Sequence, residues 1–229
     1  MILCVCPHTA LDRVIFIEEW KAGTPMRTDH VVDCVGGKGL DSAVALSQLD
    51  VHAYALGFFA GKIGRELVEL LVAYGIETEP IWVGGANRIS YIIVEKKTNI
   101  HSHVIAGKVL VNNKHELELI EKFRAHLKNV DFVIIAGSVP PVMRQDFTAS
   151  LVKLAKEAGV PVLVDSQKQA MIEVVKEVPD IVKMNWEEFE WTFDLKAESI
   201  EELVELAQDF HKAHQLKNLV LTLSKEGIL

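Results

Sequence analysis

An α/β fold with a mostly parallel sheet and helices on both faces is what this 229-residue sequence predicts, and three observations predict it. Short β-branched apolar runs alternate with stretches of helical periodicity, and repeated βα alternation puts parallel strands under covering helices. Two segments break that rhythm as strands with no helix between them, so a small antiparallel sheet is expected beside the main one. The composition, 49% hydrophobic and 24% charged, is that of a globular chain with enough apolar surface to offset the entropy of ordering. A chain of this size buries about 70% of its unfolded surface and needs no disulfide or structural metal.

In chain order, ILCVC (2–6) reads as a buried strand, and RVIFIE (13–18) as the first rhythm-breaking strand. A helix is expected to begin near Lys38, followed by the strand HAYAL (52–56). Over 61–74, Ile63, Leu67, Leu70, Leu71 and Tyr74 share one helical face, with Gly75 placed to end the helix. RISYIIVEKKTNIHSHVI (88–105) reads as two strands joined by a turn at KKTN. The runs FVIIA (132–136), VPVLVD (160–165), DIVKM (180–184) and NLVLTL (218–223) read as further buried strands. Trp186 and Trp191 flank a predicted helix, with core packing as their expected role. Ser199 and Glu202 have the spacing of a capping box, ahead of the apolar stripe Leu203, Leu206, Ala207 and Phe210. Without repeat, low-complexity tract or linker, residues 1–229 read as one α/β domain with lid excursions at about 13–35 and 88–106.

A formal net charge of -8 argues against a nucleic-acid backbone or an anionic membrane as the main partner, because both need clustered cations. Small molecules remain, including anions if a local basic pocket exists. Cys4, Cys6 and Cys34 have no metal or redox spacing, and Cys4 and Cys6 would share a buried strand face. With no membrane-length apolar run, a cytoplasmic protein is expected. His211 and His214 lack a third metal ligand and read as solvated, while His101 and His103 read as structural.

CVGGKGLDSAVALSQL (34–49) carries the strongest hint of chemistry. Glycines at 36, 37 and 39 let the backbone approach a ligand just where the free N–H groups of a helix point outward. The spacing matches neither the Walker pattern nor GxGxxG. On this stretch alone, an anion or hydroxyl cradle and a glycine-rich turn with a solvated lysine both remain open. A dehydrogenase is disfavoured, because the first strand leads into PHTALD and not a glycine-rich dinucleotide turn.

Seven blocks in order change that balance. GGKGLDSAVALSQL, ALGFFAGKIGRELVELLVAYGIET, the strand opening at Arg88, IIAGSVPP, VPVLVDS, KMNWEEFE and LTLSKEG together resemble the phosphofructokinase B family of ribokinase-like sugar kinases, over nearly the whole chain. ALD (10–12) and GSVPP (137–141) resemble its hexose-phosphate branch, which includes 1-phosphofructokinase and tagatose-6-phosphate kinase. The resemblance implies a ribokinase-like three-layer α/β/α sandwich whose antiparallel β sheet acts as an active-site lid and as a homodimer surface. It implies an ATP-dependent kinase of a ketohexose phosphate, with Mg2+. The sugar site would comprise Asp12, Gly36, Gly37, Lys38, Asp41, Arg88 and Ser138, with Arg88 on the sugar phosphate and Arg27 a weaker candidate. Lys183, Asn185, Glu188 and Thr222 would serve the nucleotide, Asn185 and Glu188 as the NxxE element that organises Mg2+; Glu187 reads as a solvated helix face.

Departures from the family pattern bear on the substrate. His8-Thr9 stands where Asn-Pro is usual, Asp41 where asparagine is, Ser224 where the first glycine of TxGxxG is, and KMN where KPN is. An ionised carboxylate near this loop would repel a sugar phosphate, so Asp41→Asn is expected to tighten phosphorylated sugars more than neutral ones. The family's Gly-Ala-Gly-Asp segment, with the catalytic base and anion hole, would lie past Leu229. The sequence reading therefore expects a C-terminally incomplete kinase that does not transfer phosphate by itself and leaves NLVLTL as an open edge. Its alternative is a non-catalytic sugar-phosphate-binding or partner-associating homologue.

Overall fold

The computed structural model describes residues 1–229. The chain runs β1 (Ile2–Cys6), β2 (Ala10–Ile17), β3 (Val31–Gly36), α1 (Lys38–Gln48), β4 (Ala53–Ala60), α2 (Gly61–Ala73), β5 (Glu77–Thr78), β6 (Ile81–Gly85), β7 (Arg88–Glu95), β8 (Ile100–Ala106) and β9 (Val109–Leu110). It continues through α3 (Asn113–His126), β10 (Phe132–Ala136), α4 (Phe147–Glu157), β11 (Val162–Asp165), α5 (Lys168–Lys176), β12 (Ile181–Asn185), α6 (Trp186–Phe193), α7 (Ile200–Ala213) and β13 (Leu219–Thr222).

The main sheet has the order β13-β12-β11-β10-β1-β4-β6-β9, parallel except at its β6–β9 end. From β1 the chain builds outward to β4 on one side and later, from β10, outward on the other. That reversal leaves a crevice at the carboxyl ends of β1 and β10, where open α/β sheets bind ligands. Strand alternation divides the core. Leu3 and Val5 face the larger cluster, with Leu119 and Phe123 of α3, Leu151 of α4, Met171 of α5 and Phe189 of α6. Cys4 and Cys6 face the other side, against Leu40 and Ala43 of α1 and Leu67 and Leu71 of α2. Burial pushes the Cys4 and Cys6 thiols up to about 12 and about 11, so both are inert packing groups.

The second sheet, ordered β3-β2-β7-β8, carries the two rhythm-breaking segments. Its outer pairs are antiparallel, and β2 and β7 run parallel through the middle from Ala10↔Arg88 to Ile17↔Glu95. The KKTN turn forms, with Asn99 at φ 56°. β2 begins three residues earlier than its β-branched run suggests, so Asp12 sits in a strand and not in a turn. HAYAL likewise continues to Ala60, because Gly57, Phe58, Phe59 and Ala60 are all buried. Gly75 ends α2 at φ 72°, and the Ser199 hydroxyl caps α7 by accepting from the Glu202 N–H. The Glu202 carboxylate, however, turns to the Glu198 N–H, so the box closes one residue early.

Two expectations need correction. Trp191 is 56% exposed, with Lys168 Nζ 5.1 Å over its ring, and only Trp186 packs on the core. β13 is the outermost strand, but its free side is not open: Leu221 exchanges both backbone hydrogen bonds with Leu229 at 2.9 Å.

Candidate active site

The crevice is built on a turn anchored by buried hydrogen bonds. Between β1 and β2, Thr9 is fully buried; its hydroxyl donates to the Phe58 carbonyl at 2.5 Å and accepts from Asn87 Nδ2 at 2.6 Å. Asn87 Oδ1 in turn accepts from the Ala60 N–H at 2.6 Å. This buried amide ties β4 to the β1–β2 turn and so anchors the chain just before Arg88.

Arg88, Asp12, Gly36, Gly37, Asp41 and Ser138 come together around the turn. The register sets Gly36, Ala10 and Arg88 side by side across β3, β2 and β7, with Asp12 two residues further along the same face. Asp12 lies over the Gly36 backbone so closely that a Cβ at 36 would sit 2.3 Å from its Oδ1. Gly37 has φ 97°, a conformation that turns the chain from β3 into α1 and that L side chains rarely adopt. Arg88 Nη2 donates to the His8 carbonyl at 2.6 Å, while Arg88 Nε is buried with no partner. Ser138, two residues past the end of β10, meets His8 Nδ1 at 3.2 Å. Arg27 is exposed and makes no ion pair there.

The electrostatics of this end are unusual. Burial raises the Asp12 carboxyl above its ordinary value, partly countered by His103 and Arg88. Although solvent-accessible, Asp41 is pushed up to about 6, first by the surrounding protein and then by the negative charge of Asp12. Burial and the Arg88 charge lower His8 to about 4, so its imidazole is neutral. Burial also holds Arg88 below its ordinary value, without removing its charge near neutrality.

Asp41 gives a linkage prediction. Its folded value lies above the ordinary 3.8, so the native chain binds more protons than the unfolded one between about pH 4 and 6, and stability falls as pH rises through that window. Asp41→Asn is therefore expected to melt above wild type at pH 7.5 and at the same temperature below pH 4. An equal gap at both pH values in thermal unfolding would contradict this.

Lys38 does not join the Asp12 side. Its Nζ crosses to Asp165 Oδ1 at 2.7 Å and Glu188 Oε1 at 2.8 Å, and Lys183 Nζ bonds Asp165 Oδ2 at 2.7 Å. Burial alone would lower the Lys38 pKa; the two carboxylates outweigh it and raise it. Asn185 and Glu188 form a reciprocal capping box at the start of α6, Asn185 Oδ1 accepting from the Glu188 N–H and Glu188 Oε2 from the Asn185 N–H. The NxxE spacing is thus first of all a helix start, which holds the Glu188 carboxylate beside Lys38. Thr222 and Asn185 line a neighbouring cleft of about 840 Å³ with Trp186, Glu190, Ser224 and Gly227. Glu187 is exposed, as expected.

Asp165, at the centre of the lysine cluster, and Asn87 were not singled out by the sequence reading. Asp165 ends an apolar strand just as Ser138 follows one, a positional signal that could have found it. Nothing local marks Asn87.

The switch point of the doubly wound sheet, the small second sheet beside it, a half-buried arginine and a lysine–carboxylate cluster make this end of the sheet the candidate site for small charged molecules. The model of the pfkB family of carbohydrate kinases matches residues 1–229. The chain belongs to that family, and it is an ATP-dependent carbohydrate kinase, a phosphotransferase. It is 26% identical over 229 residues to D-tagatose-1-phosphate kinase of Klebsiella oxytoca, covering 99% of this chain and 73% of that protein. It is 26% identical over 204 residues to 1-phosphofructokinase of Bacillus subtilis, covering 89% of this chain and 66% of the relative. Among solved structures, the tetrameric inhibited form of Escherichia coli phosphofructokinase-2 superposes with a TM-score of 0.89 at 21% identity, over 100% of this chain and 75% of the other. A possible 1-phosphofructokinase of Thermotoga maritima gives 0.87 at 27% identity, over 99% and 75%. These matches favour the kinase reading over a non-catalytic binding protein.

Proposed function

We propose that the crevice takes a ketohexose phosphate, its phosphate on Arg88 and a sugar hydroxyl on Asp12, with ATP entering from the side of Lys183, Asn185, Glu188 and Thr222. One observation carries the orientation: Arg88 is the cation of the crevice with no carboxylate partner, and its Nε is a buried donor with nothing to bond. Lys38 and Lys183 are already paired with Asp165 and Glu188. A buried guanidinium with an orphan N–H is complementary to an anion, and its fork suits a phosphate. The tagatose-phosphate and fructose-phosphate names of the relatives support the same substrate class.

Asp165 and Glu188 supply hard oxygen donors that fit Mg2+, which is typically held by one or two carboxylates, waters and substrate phosphates. Asn185 acts through the cap that orients Glu188. When bound, the ion would neutralise charge on the transferring phosphoryl group. Lys38 and Lys183 then have a second use: ammonium groups freed from the carboxylates can face nucleotide phosphates. Gly36 and Gly37 keep the loop low enough for Asp12 to meet a hydroxyl.

Membership of a carbohydrate kinase family supports a cytoplasmic setting, and no helix is long and apolar enough to cross a membrane. Val31, Val32, Ile100, Val104 and Ile105 are exposed on the lid strands, which supports a homodimer through the lid. Val104→Glu is expected to lower the mass measured by sedimentation at micromolar concentration; an unchanged mass would contradict that contact. The substrate reading is tested by calorimetric titration of the chain with ketohexose phosphates and the matching free ketoses. Phosphorylated sugars are expected to bind at least tenfold tighter, and equal binding would overturn it.

A further inference from the structure

His8 is used by none of the roles above, yet it sits between two residues that are. Its carbonyl takes the Arg88 bond at 2.6 Å, and a Cβ on Gly37 would lie 3.4 Å from that same oxygen. Its ring meets Ser138 Oγ at 3.2 Å through Nδ1. The other ring nitrogen, Nε2, has no protein partner and is not enclosed, since Arg88 Nε is the one buried side-chain atom left without a partner. The backbone beneath is held by the Thr9–Phe58–Asn87 hydrogen bonds, so the ring projects from an anchored turn.

We propose that His8 is a substrate-contacting residue that reads one hydroxyl of the acceptor sugar through Nε2, with Ser138 fixing the ring. The inference rests on the crevice being a sugar-phosphate site. The chemistry that recognises the ligand follows from the ring's neutrality. With Arg88 beside it and burial around it, the imidazole stays uncharged and adds nothing to an anion site. A neutral imidazole has one N–H and one lone pair. If Nδ1 accepts from the Ser138 hydroxyl, Nε2 donates; if Nδ1 donates to Ser138, Nε2 accepts. Either way the group complements a hydroxyl, which does both, whereas a phosphate oxygen only accepts. His8 therefore reads the sugar, and Arg88 the phosphate.

The two functions separate in one experiment, because Arg88 bonds the backbone carbonyl of residue 8, which survives any side-chain change. The His8→Phe variant of the 229-residue chain is titrated with inorganic phosphate and with a ketohexose phosphate. Loss of one hydrogen bond predicts about tenfold weaker binding of the sugar phosphate, with inorganic phosphate within about twofold of wild type. His8→Asn, which restores a donor and an acceptor, is expected to recover part of the loss. In wild type, the His8 ring resonances are expected to shift on adding the sugar phosphate and not on adding phosphate, a readout that stands even if His8→Phe fails to fold. Unchanged sugar-phosphate affinity, equal losses for both ligands, or static ring resonances in a chain that binds the sugar phosphate would each overturn the inference alone. A wild-type chain that binds no sugar phosphate would overturn it together with the substrate reading.

Discussion

Arg88→Leu is expected to weaken ketohexose phosphate binding about a hundredfold while leaving the fold as stable as before, or more so. The first half follows from removing charge-assisted bonds to phosphate, worth roughly 1.5–3 kcal/mol. The second follows from the orphan Nε. A buried unsatisfied donor costs about 1–3 kcal/mol, so a site that holds one open for a ligand gives up stability for it, and an apolar side chain with no donor to satisfy recovers some of that. The opposing term is the lost Nη2 bond to the His8 carbonyl, which leaves that oxygen beside Gly37 to be hydrated or unpaired. Calorimetry and urea unfolding on the same variant check both halves. A large loss of stability with little loss of phosphate affinity would show that Arg88 is structural.

Asp165→Ala is expected to be the most damaging single change at the site. It leaves the Lys38 and Lys183 ammonium groups facing one another across a vacated position, with Glu188 alone to balance Lys38. Breaking a fully buried pair costs about 3–5 kcal/mol; here the lysine side chains are 40% and 29% exposed and water can reach them, so about 2 kcal/mol is the expected loss. Asp165→Asn keeps the shape and should cost less. Urea unfolding checks the pair of variants, and a loss below about 0.5 kcal/mol, typical of an unremarkable surface change, would contradict a structural role for the cluster. ATP affinity should change as well, because the same lysines flank the candidate nucleotide side.

Much of this was legible in the sequence because it is local. Short continuous apolar runs marked β1, β10 and β12, Gly75 marked the end of α2, and KKTN marked the β7–β8 turn. The grouping of Asp12, Gly36, Arg88 and Ser138 came from the family resemblance, and only Ser138 was also placed by its position after an apolar strand, where a doubly wound sheet puts its ligands. What was illegible depends on distant residues meeting. Lys38 was assigned to the sugar from its place in the glycine loop, but its flexible stem reaches carboxylates 127 and 150 positions away. Asn185 was read as part of an element that organises Mg2+; only the fold shows that its amide oxygen also caps α6. Asn87 has no local signature; only the fold shows that it stitches β4 to the β1–β2 turn. Trp191 belongs to a helix whose buried face is made by Phe189 and Thr192 instead, a phase that a short helix leaves ambiguous.

The measurement that bears most directly on the account is a crystal structure of the chain with a ketohexose phosphate bound. The phosphate is expected on the Arg88 guanidinium, engaging the Nε that has no partner in the free chain, with a sugar hydroxyl on Asp12 and Lys38 still on Asp165 and Glu188. A phosphate seated instead on Lys38 and Lys183, with Arg88 Nε still unpaired, would reverse the two ends of the site and contradict the account.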